Sequence, residues 1–222
     1  MKNIFLFLFV ALCITSYAQE IPPIQSYSTK DYYGENQNWS ISQADDNLIY
    51  VANNGGLLEF DGAKWNFYVV PDKSPVRSVK VINNKIYTGS FMDFGFWEKD
   101  LHGELNYTSL GELLGLNFLE DEQFWKIEEL DGWLVFQSLA RIYIIDMENK
   151  KFRIIDSEVP ITRMFNVNNS IYFQKQNKGV FKIKNGEVLL AYDDAIFIDN
   201  DLVNIFSVNN ELLFLTEDNG FY

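Results

Sequence analysis

Short apolar strings recur along the chain at nearly constant spacing. Five triplets begin 37, 48, 37 and 41 residues apart, a mean of about 41. Asn or Gly stands two residues before each triplet, and both tolerate the positive φ of a tight hairpin turn. The turn residues and triplets are Asn47 with Ile49–Val51, Asn84 with Ile86–Thr88, Gly132 with Leu134–Phe136, Asn169 with Ile171–Phe173 and Asn210 with Leu212–Phe214.

Further strings at similar offsets complete a unit of four strands. An apolar strand precedes each turn, another follows each triplet, and a second turn leads into a fourth strand in four of the units. The second turns are predicted at Asp61-Gly62, His102-Gly103, Glu148-Asn149 and Asn185-Gly186. The predicted units cover approximately residues 37–70, 75–110, 123–156, 161–193 and 202–222. Outside them, only Glu112–Leu119 has a helical pattern.

Four strands in every repeat of about 40 residues are typical of a β-propeller blade. A β-sandwich is the alternative, but it has no reason to repeat the same turn at the same offset in successive units. The predicted fold class is therefore all-β, a propeller of four complete four-stranded antiparallel blades and a truncated fifth. Because the fifth unit stops at Tyr222, within its third strand, we expect a fragment of a longer protein. Ile24–Thr29 is a candidate closing strand.

The N-terminus has the pattern of an export signal. A short basic start is followed by the apolar stretch Ile4–Ile14 and by the small-x-small site Ser16-Tyr17-Ala18. The stretch has 11 residues, whereas a membrane-spanning helix needs about 20. We therefore predict a signal peptide at residues 1–18 and an exported protein. Cleavage would remove Cys13, the only cysteine.

Composition excludes several classes of function. The net charge is −13, from 31 acidic and 18 basic residues, so direct binding to nucleic acid by this segment is not expected. A hydrophobic fraction of 47% excludes a disordered chain. The mean hydropathy of −0.12 excludes a polytopic membrane protein. No cofactor is predicted.

Catalytic and metal-binding signals are weak. The only histidine, His102, lies in a predicted turn without ligating neighbours, so neither a metal site nor a catalytic residue is predicted. Asp199-Asn200-Asp201 lacks the glycine and the final glutamate of a calcium loop, which favours a solvated turn. Acidic pairs such as Asp45-Asp46 and Asp193-Asp194 leave a glycosidase-like carboxylate pair open, although they too lie in predicted turns.

One candidate ligand site follows from the repeat. The position that opens each first strand would ring one mouth of a propeller channel. Two of the four arginines and two of the five tryptophans occupy it. Indoles stack on sugar rings and guanidinium groups bind carboxylate or sulfate, so the set predicts an anionic or carbohydrate-like ligand. The alternative is packing between blades. The residues are Trp39, Arg77, Trp125, Arg163 and Asn204.

A second candidate is an unusually apolar loop between the second and third strands of the second unit. It contains Phe91, Met92, Asp93 and Phe94. Apolar surface of this kind marks an interface or a ligand contact, so we predict a patch that meets either a neighbouring domain or a ligand.

Three strings carry a family resemblance. They are NWSISQADDNLIYVANNGGLLEFDGAKW from Asn38, VINNKIYTGSFMDFGFWEKDLHGELNYTSL from Val81 and QFWKIEELDGWLVFQS from Gln123. They resemble the two-component regulator propeller proteins of Bacteroidetes. The stretch from Gly89 to Leu110 is similar to their triple-tyrosine-domain subgroup. The resemblance spans approximately residues 22–222.

The resemblance implies an exported propeller on the periplasmic side of the inner membrane. In that family a triple-tyrosine domain, a membrane helix and a cytoplasmic output domain follow, and any kinase activity resides downstream. It implies a non-enzymatic sensor that binds a small molecule or oligosaccharide, a carbohydrate or other nutrient, and that dimerises in the intact protein. A secreted propeller hydrolase or lyase and a surface interaction scaffold remain open, because propellers host all three.

Overall fold

The computed structural model describes residues 24–184 and 187–222 and consists almost entirely of antiparallel sheets. Four sheets have four strands and the fifth has three, and within each sheet the strands lie side by side in chain order. The first strands of successive sheets contact one another, so the sheets are arranged around these strands. The prediction of an all-β propeller with four full blades and a shorter fifth is confirmed. The predicted signal peptide lies outside the described residues.

The strands follow the repeat. The first sheet contains β1 (Asn38–Gln43), β2 (Ile49–Asn53), β3 (Gly56–Phe60) and β4 (Trp65–Tyr68). The second contains β5 (Ser78–Ile82), β6 (Lys85–Gly89), β7 (Phe94–Lys99) and β8 (Leu105–Ser109). The third contains β9 (Lys126–Leu130), β10 (Trp133–Gln137), β11 (Arg141–Asp146) and β12 (Lys151–Asp156).

The remaining sheets and the short helices complete the chain. The fourth sheet contains β13 (Ile161–Asn166), β14 (Ile171–Lys175), β15 (Gly179–Lys184) and β16 (Glu187–Tyr192). The fifth contains β17 (Leu202–Val208), β18 (Glu211–Thr216) and β19 (Gly220–Phe221). The helices are α1 (Thr29–Tyr32), α2 (Leu110–Leu114) and α3 (Ala195–Asp199). Within the described ranges, no helix has the length and apolar character needed to span a bilayer.

The turns between first and second strands have the conformation that their residues favour. All five predicted turn residues have positive φ, which Asn and Gly adopt at low cost. The angles are 68° at Asn47, 62° at Asn84, 81° at Gly132, 51° at Asn169 and 69° at Asn210. This part of the sequence analysis is confirmed.

The second turns are stabilised by aspartates, of which the sequence analysis named only Asp61. The carboxylates of Asp61, Asp100 and Asp146 each accept two backbone N–H groups of the following turn, at 2.7–3.0 Å. These hydrogen bonds hold the pKa of the Asp61 and Asp100 carboxyls below the ordinary value. The pKa of Asp146 is lowered first by the Asn149 side-chain amide and then by the backbone N–H groups. In the third sheet the residue with positive φ is Lys150, one position after the predicted turn. Asn185-Gly186 lies outside the described residues.

Each pair of neighbouring sheets encloses its own apolar core. Between the second and third sheets, Phe94 stacks on Phe136 with 4.1 Å between ring centroids and meets Phe124 edge-on at 4.7 Å. Between the third and fourth sheets, Ile144 packs with Phe173. Between the fourth and fifth, Tyr172 packs with Phe214 and other buried residues. Burial of this apolar surface is the main source of stability.

Two predicted elements differ from the structure. The predicted helix at Glu112–Leu119 is α2, which begins at Leu110 and ends at Leu114, because Gly115 adopts a left-handed φ of 63°. The predicted closing strand Ile24–Thr29 belongs to no sheet in the described structure. Instead, Ser28 and Asp31 form a capping box that starts α1 at Thr29.

Candidate functional site

The two ends of the sheets carry different connections. At one end, the turn face, tight turns join the first strand to the second and the third to the fourth. At the other end, the loop face, the chain passes from each sheet to the next. The longest connection, residues 110–125, lies at the loop face. Binding residues concentrate on such connecting segments when a rigid scaffold holds them.

Three of the predicted site residues meet at the loop face. The Arg77 Cζ atom lies 4.5 Å from the ring centroid of Trp39 and 5.3 Å from that of Trp125. The two indole centroids are 5.4 Å apart with the rings edge to face. The three residues come from the first, second and third sheets, so a cation–π cluster joins the starts of three successive sheets.

Neutral amides hold the guanidinium group in place. The Arg77 Nε donates to Gln123 Oε1 at 2.7 Å, and Nη1 donates to Asn54 Oδ1 at 2.8 Å. The Glu35 carboxylate accepts from Asn54 Nδ2 at 2.6 Å, so it reaches the guanidinium only through that amide. Within residues 24–184 and 187–222, no carboxylate forms an ion pair with Arg77.

The electrostatic consequence is a cation without a compensating charge. Partial burial lowers the pKa of Arg77 from its ordinary value, but an arginine stays protonated at neutral pH. Trp39 remains 36% exposed, so the cluster is accessible from solvent. A half-buried guanidinium with spare N–H groups is suited to bind a carboxylate or sulfate.

Two recesses adjoin this cluster. One, of about 180 Å³, is lined by Gln123 and Trp125 and by segments 119–122 and 138–140, of which the first carries three acidic side chains. The other, of about 440 Å³, is lined by Asn54 and by the segment from Gly34 to Gln37. Because each recess shares residues with the Arg77 cluster, a ligand larger than the anionic group itself has room on both sides.

Arg163 and Asn204 do not join the cluster, because they occupy a different register position. Arg163 lies opposite Gln174 and Asn204 opposite Leu215. Gln174 and Leu215 each lie three residues after the first residue of the apolar triplet in their strand. In the first three sheets, the residues that pair with this triplet position are Ser40, Ser78 and Lys126. Trp39, Arg77 and Trp125 each come one residue earlier, so their equivalents in the last two sheets are Thr162 and Val203.

The predicted equivalence of all five positions is thus wrong by one residue in the last two sheets. If Arg163 were equivalent to Arg77, Phe165 would be equivalent to Val79, but Met164 is the residue that pairs with Phe173 in the register of Val79. Both are apolar, so the hydrophobic pattern fits either register. The Arg163 side chain is exposed, and the Asn204 Oδ1 accepts the N–H of Ile205 at 2.9 Å.

The predicted apolar patch is mostly buried within the same chain. Phe94 is fully buried between the second and third sheets. The Asp93 carboxylate accepts the hydroxyls of Tyr107 and Ser109 at 2.9 and 2.8 Å, and burial raises its pKa. Phe91 is half-buried, and Met92 alone among the four is exposed, at 40%. Phe94 and Asp93 therefore form part of the core and are not free to contact another domain.

Buried glutamines, missed by the sequence analysis, connect successive sheets at the loop face. The Gln174 Nε2 donates to the carbonyls of Phe197 and Asn200, and its Oε1 accepts the N–H of Leu202 at 2.8 Å. The Gln137 Nε2 donates to the carbonyl of Ile161 at 2.9 Å. Both glutamines follow a Phe at the end of a second strand, and this repeated Phe-Gln pair is the signal that could have identified them.

The buried carboxylates that a hydrolase would need are engaged in structural contacts. Glu59 accepts the Tyr50 hydroxyl at 2.8 Å and pairs with Lys99 at 3.1 Å. Glu122 accepts the hydroxyls of Ser138 and Tyr143 at 2.6 and 2.8 Å. Glu122 borders the recess of about 180 Å³ together with the exposed Glu120 and Asp121. Its own carboxylate oxygens are already occupied by the two hydroxyl groups.

The described ranges hold no cluster of three His, Cys, Asp or Glu side chains arranged for a metal ion. In the candidate calcium segment, Asn200 Nδ2 donates to the carbonyl of Ile196 at 3.0 Å, and the Asn200 carbonyl accepts Gln174 Nε2 at 2.7 Å. Asn200 therefore stabilises the connection around α3. His102 is exposed in its turn, where its N–H binds Asp100.

Comparison with known proteins finds similarity in structure only. No family model and no curated protein sequence matches the chain. A domain of B. thetaiotaomicron, BT4673, is described as the extracellular domain of a hybrid two-component system. It matches with a TM-score of 0.65 and 12% identity over 91% of this chain and 28% of that chain. A second structure of BT4673, described as belonging to a one-component system, gives a TM-score of 0.66 at 12% identity, with the same coverage of 91% and 28%.

PorZ, a surface component of the type-IX secretion system of Porphyromonas gingivalis, also matches. The TM-score is 0.52 at 15% identity, over 79% of this chain and 23% of PorZ. At such identities the likeness concerns the fold. The chain spans less than a third of the length of the BT4673 domain. By its sheets and their order, the chain shares the fold of part of these proteins.

Proposed function

We propose that the chain is part of an extracytoplasmic ligand-sensing propeller of a transmembrane regulator, and that it binds an anionic, carbohydrate-like ligand at Trp39, Arg77 and Trp125. The observation that carries the proposal is the Arg77 guanidinium, which lies between two indoles and is bound by neutral amides without a paired carboxylate. The likeness to an extracellular domain of a two-component system supports the sensing role.

Each residue has a distinct role in this proposal. Asn54 and Gln123 fix the plane of the guanidinium and leave further N–H groups for a carboxylate or sulfate. The exposed face of Trp39 provides a surface on which a sugar ring stacks. A neutral sugar gains the stacking alone, so the site discriminates in favour of acidic or sulfated sugars.

Signalling follows from the position of the site across three sheets. A ligand that contacts the first, second and third sheets stabilises the arrangement in which their starts are close together. It shifts a conformational equilibrium by the difference in its affinity for the two states. Domains of the intact protein beyond this chain would respond to that change in conformation.

The test is calorimetric titration with glucuronate- and sulfate-bearing disaccharides and with their neutral counterparts. We expect the acidic sugars to bind, and Arg77→Gln to weaken them by about tenfold or more through loss of charge-assisted hydrogen bonds. Lys178→Gln, which removes an exposed charge elsewhere at the loop face, is the matched control. Equal binding by Arg77→Gln, or equal binding of acidic and neutral sugars, contradicts the proposal.

A further inference from the structure

A second groove lies at the turn face, between the third and fourth sheets. Its volume is about 480 Å³. Because Arg77 lies at the loop face, the groove is at the opposite end of the sheets from Arg77. Apolar, aromatic and charged side chains contribute to its lining, which includes Leu130, Trp133, Val135, Ile144, Lys151, Arg153 and Ile183.

The register of the third sheet places these side chains on one face. Val135 lies opposite Ile144, and Ile144 lies opposite Arg153, so the three share a row across the sheet. Trp133 and Lys151 are two positions along from that row and therefore point the same way. This face packs against the fourth sheet, where Val135 and Ile144 meet Ile183 in the shared core.

The floor of the groove is apolar and its rim is cationic. Trp133 is 38% exposed, and Lys151 and Arg153 are exposed. Neither cation forms an ion pair with a residue of the described structure. In a chain of net charge −13, Lys151 and Arg153 place two cations close together beside an apolar floor.

The nearby carboxylates have other partners. Asp131 accepts Asn169 Nδ2 at 2.8 Å. Asp146 lies opposite Lys151 in the register, but its Oδ1 accepts the N–H groups of Glu148 and Asn149 at 3.0 Å each. The two acids thus stabilise turns, but they keep their charges. The Asn149 hydrogen bonds and, to a smaller extent, the Lys151 charge lower the pKa of Asp146. Arg153 forms no ion pair with a described residue, so it is the cation most available to a ligand.

We propose that this groove binds an amphiphilic carboxylate, a small molecule whose apolar body lies against Trp133 and Ile183 and whose carboxylate pairs with Arg153 and Lys151. The volume falls in the range of about 300–1,000 Å³ usual for small-molecule sites. A neutral apolar molecule would leave the cations unused, and an organic cation would be repelled by them. The site is independent of the one proposed at Arg77.

The test compares decanoate with decan-1-ol, which have the same chain length and differ in charge. Binding is followed by isothermal titration and by tryptophan fluorescence. We expect decanoate to bind the unaltered chain at least about tenfold more tightly than decan-1-ol, since charge-assisted hydrogen bonds contribute roughly 1.5–3 kcal/mol. The double variant Lys151→Gln/Arg153→Gln is expected to bind the two molecules equally.

Matched variants separate the contributions. Lys64→Gln/Lys178→Gln removes the same number of charges from exposed positions outside the groove and is expected to keep the preference for decanoate. Trp133→Ala is expected to weaken both molecules, because it removes the apolar wall. In the unaltered chain, 1 M salt should reduce the preference for decanoate over decan-1-ol, because the Debye length falls to about 3 Å at that ionic strength.

Three outcomes would overturn the proposal: no binding of decanoate to the unaltered chain, equal affinity for decanoate and decan-1-ol, or a preference that survives Lys151→Gln/Arg153→Gln. Because both side chains are exposed, thermal melts of the double variant should match those of the control. The salt titration tests the charge contribution without any substitution.

Discussion

At the scale of single residues, two separate features of the structure favour glycine: a positive φ, and a neighbouring atom too close to leave room for a Cβ. Gly179 has a φ of 94°, and a Cβ added there would lie 2.3 Å from the carbonyl oxygen of Tyr192. Gly62 has nearly the same φ, 95°, but a Cβ there would have no atom within 4 Å. The pair therefore separates backbone strain from steric exclusion.

We expect Gly62→Ala to lower the free energy of unfolding by about 1–2 kcal/mol, the cost of a left-handed non-glycine residue. Gly179→Ala should lower it by more than about 3 kcal/mol, because the fourth strand must also move away. Urea denaturation of both variants measures the difference. Equal losses would mean that β15 and β16 separate at no cost.

Residue identity alone predicted the turns but only part of the candidate site. Asn84 and Gly132 were identifiable because positive φ depends on the residue itself. The grouping of Arg77 with two tryptophans followed from equal offsets in the first three sheets. Arg163 was misplaced because Met164 and Phe165 are both apolar, so hydrophobicity could not distinguish two registers one residue apart.

At the scale of elements, the connection between sheets depends on buried amides. Gln174 is 1% exposed and binds two carbonyls and one N–H group of the segment that leads into β17. Gln43 is exposed on β1. The two glutamines therefore provide a buried position and a matched surface position in the same kind of element.

Gln174→Leu is expected to lower the free energy of unfolding by at least about 2 kcal/mol, since it leaves buried polar groups without partners. Gln43→Leu should change it by less than about 0.5 kcal/mol. Hydrogen exchange of the Leu202 amide should accelerate in the first variant alone. Unchanged exchange would show that water or backbone replaces the glutamine.

Element boundaries were missed even where local start and stop signals exist. The helical segment after the second sheet was predicted, but its bounds were not, because Ser109 caps it and Gly115 ends it earlier than the apolar pattern indicates. The candidate closing strand Ile24–Thr29 pairs with none of the five described sheets. Local hydrogen bonds between Ser28 and Asp31 favour a helical turn over an extended strand.

At the scale of the whole molecule, stability is a sum over neighbouring sheets. Each sheet packs mainly against the next, and Phe94 is the centre of the core between the second and third. In repeat proteins such an arrangement makes the loss of one interface local. The fold class was predictable for the same reason, since every unit repeats one pattern.

Phe94→Ala is expected to lower the free energy of unfolding by about 3–5 kcal/mol. Amide protection should fall most in the second and third sheets and least in the fifth. Phe221→Ala, at a position that is 61% exposed, is the control and should have little effect. A uniform loss of protection in all five sheets would indicate a single cooperative unit.

The indole contact at the loop face joins sheets that are not consecutive in the chain. Trp39 and Trp125 meet across Arg77, which belongs to the sheet between them. Their separation is therefore set by the angle through which the sheets turn about the axis. A molecule bound at the cluster would therefore oppose any change in the angle between the first and third sheets. By the same coupling energy, a change in that angle caused elsewhere in the protein would alter the affinity of the cluster for the molecule.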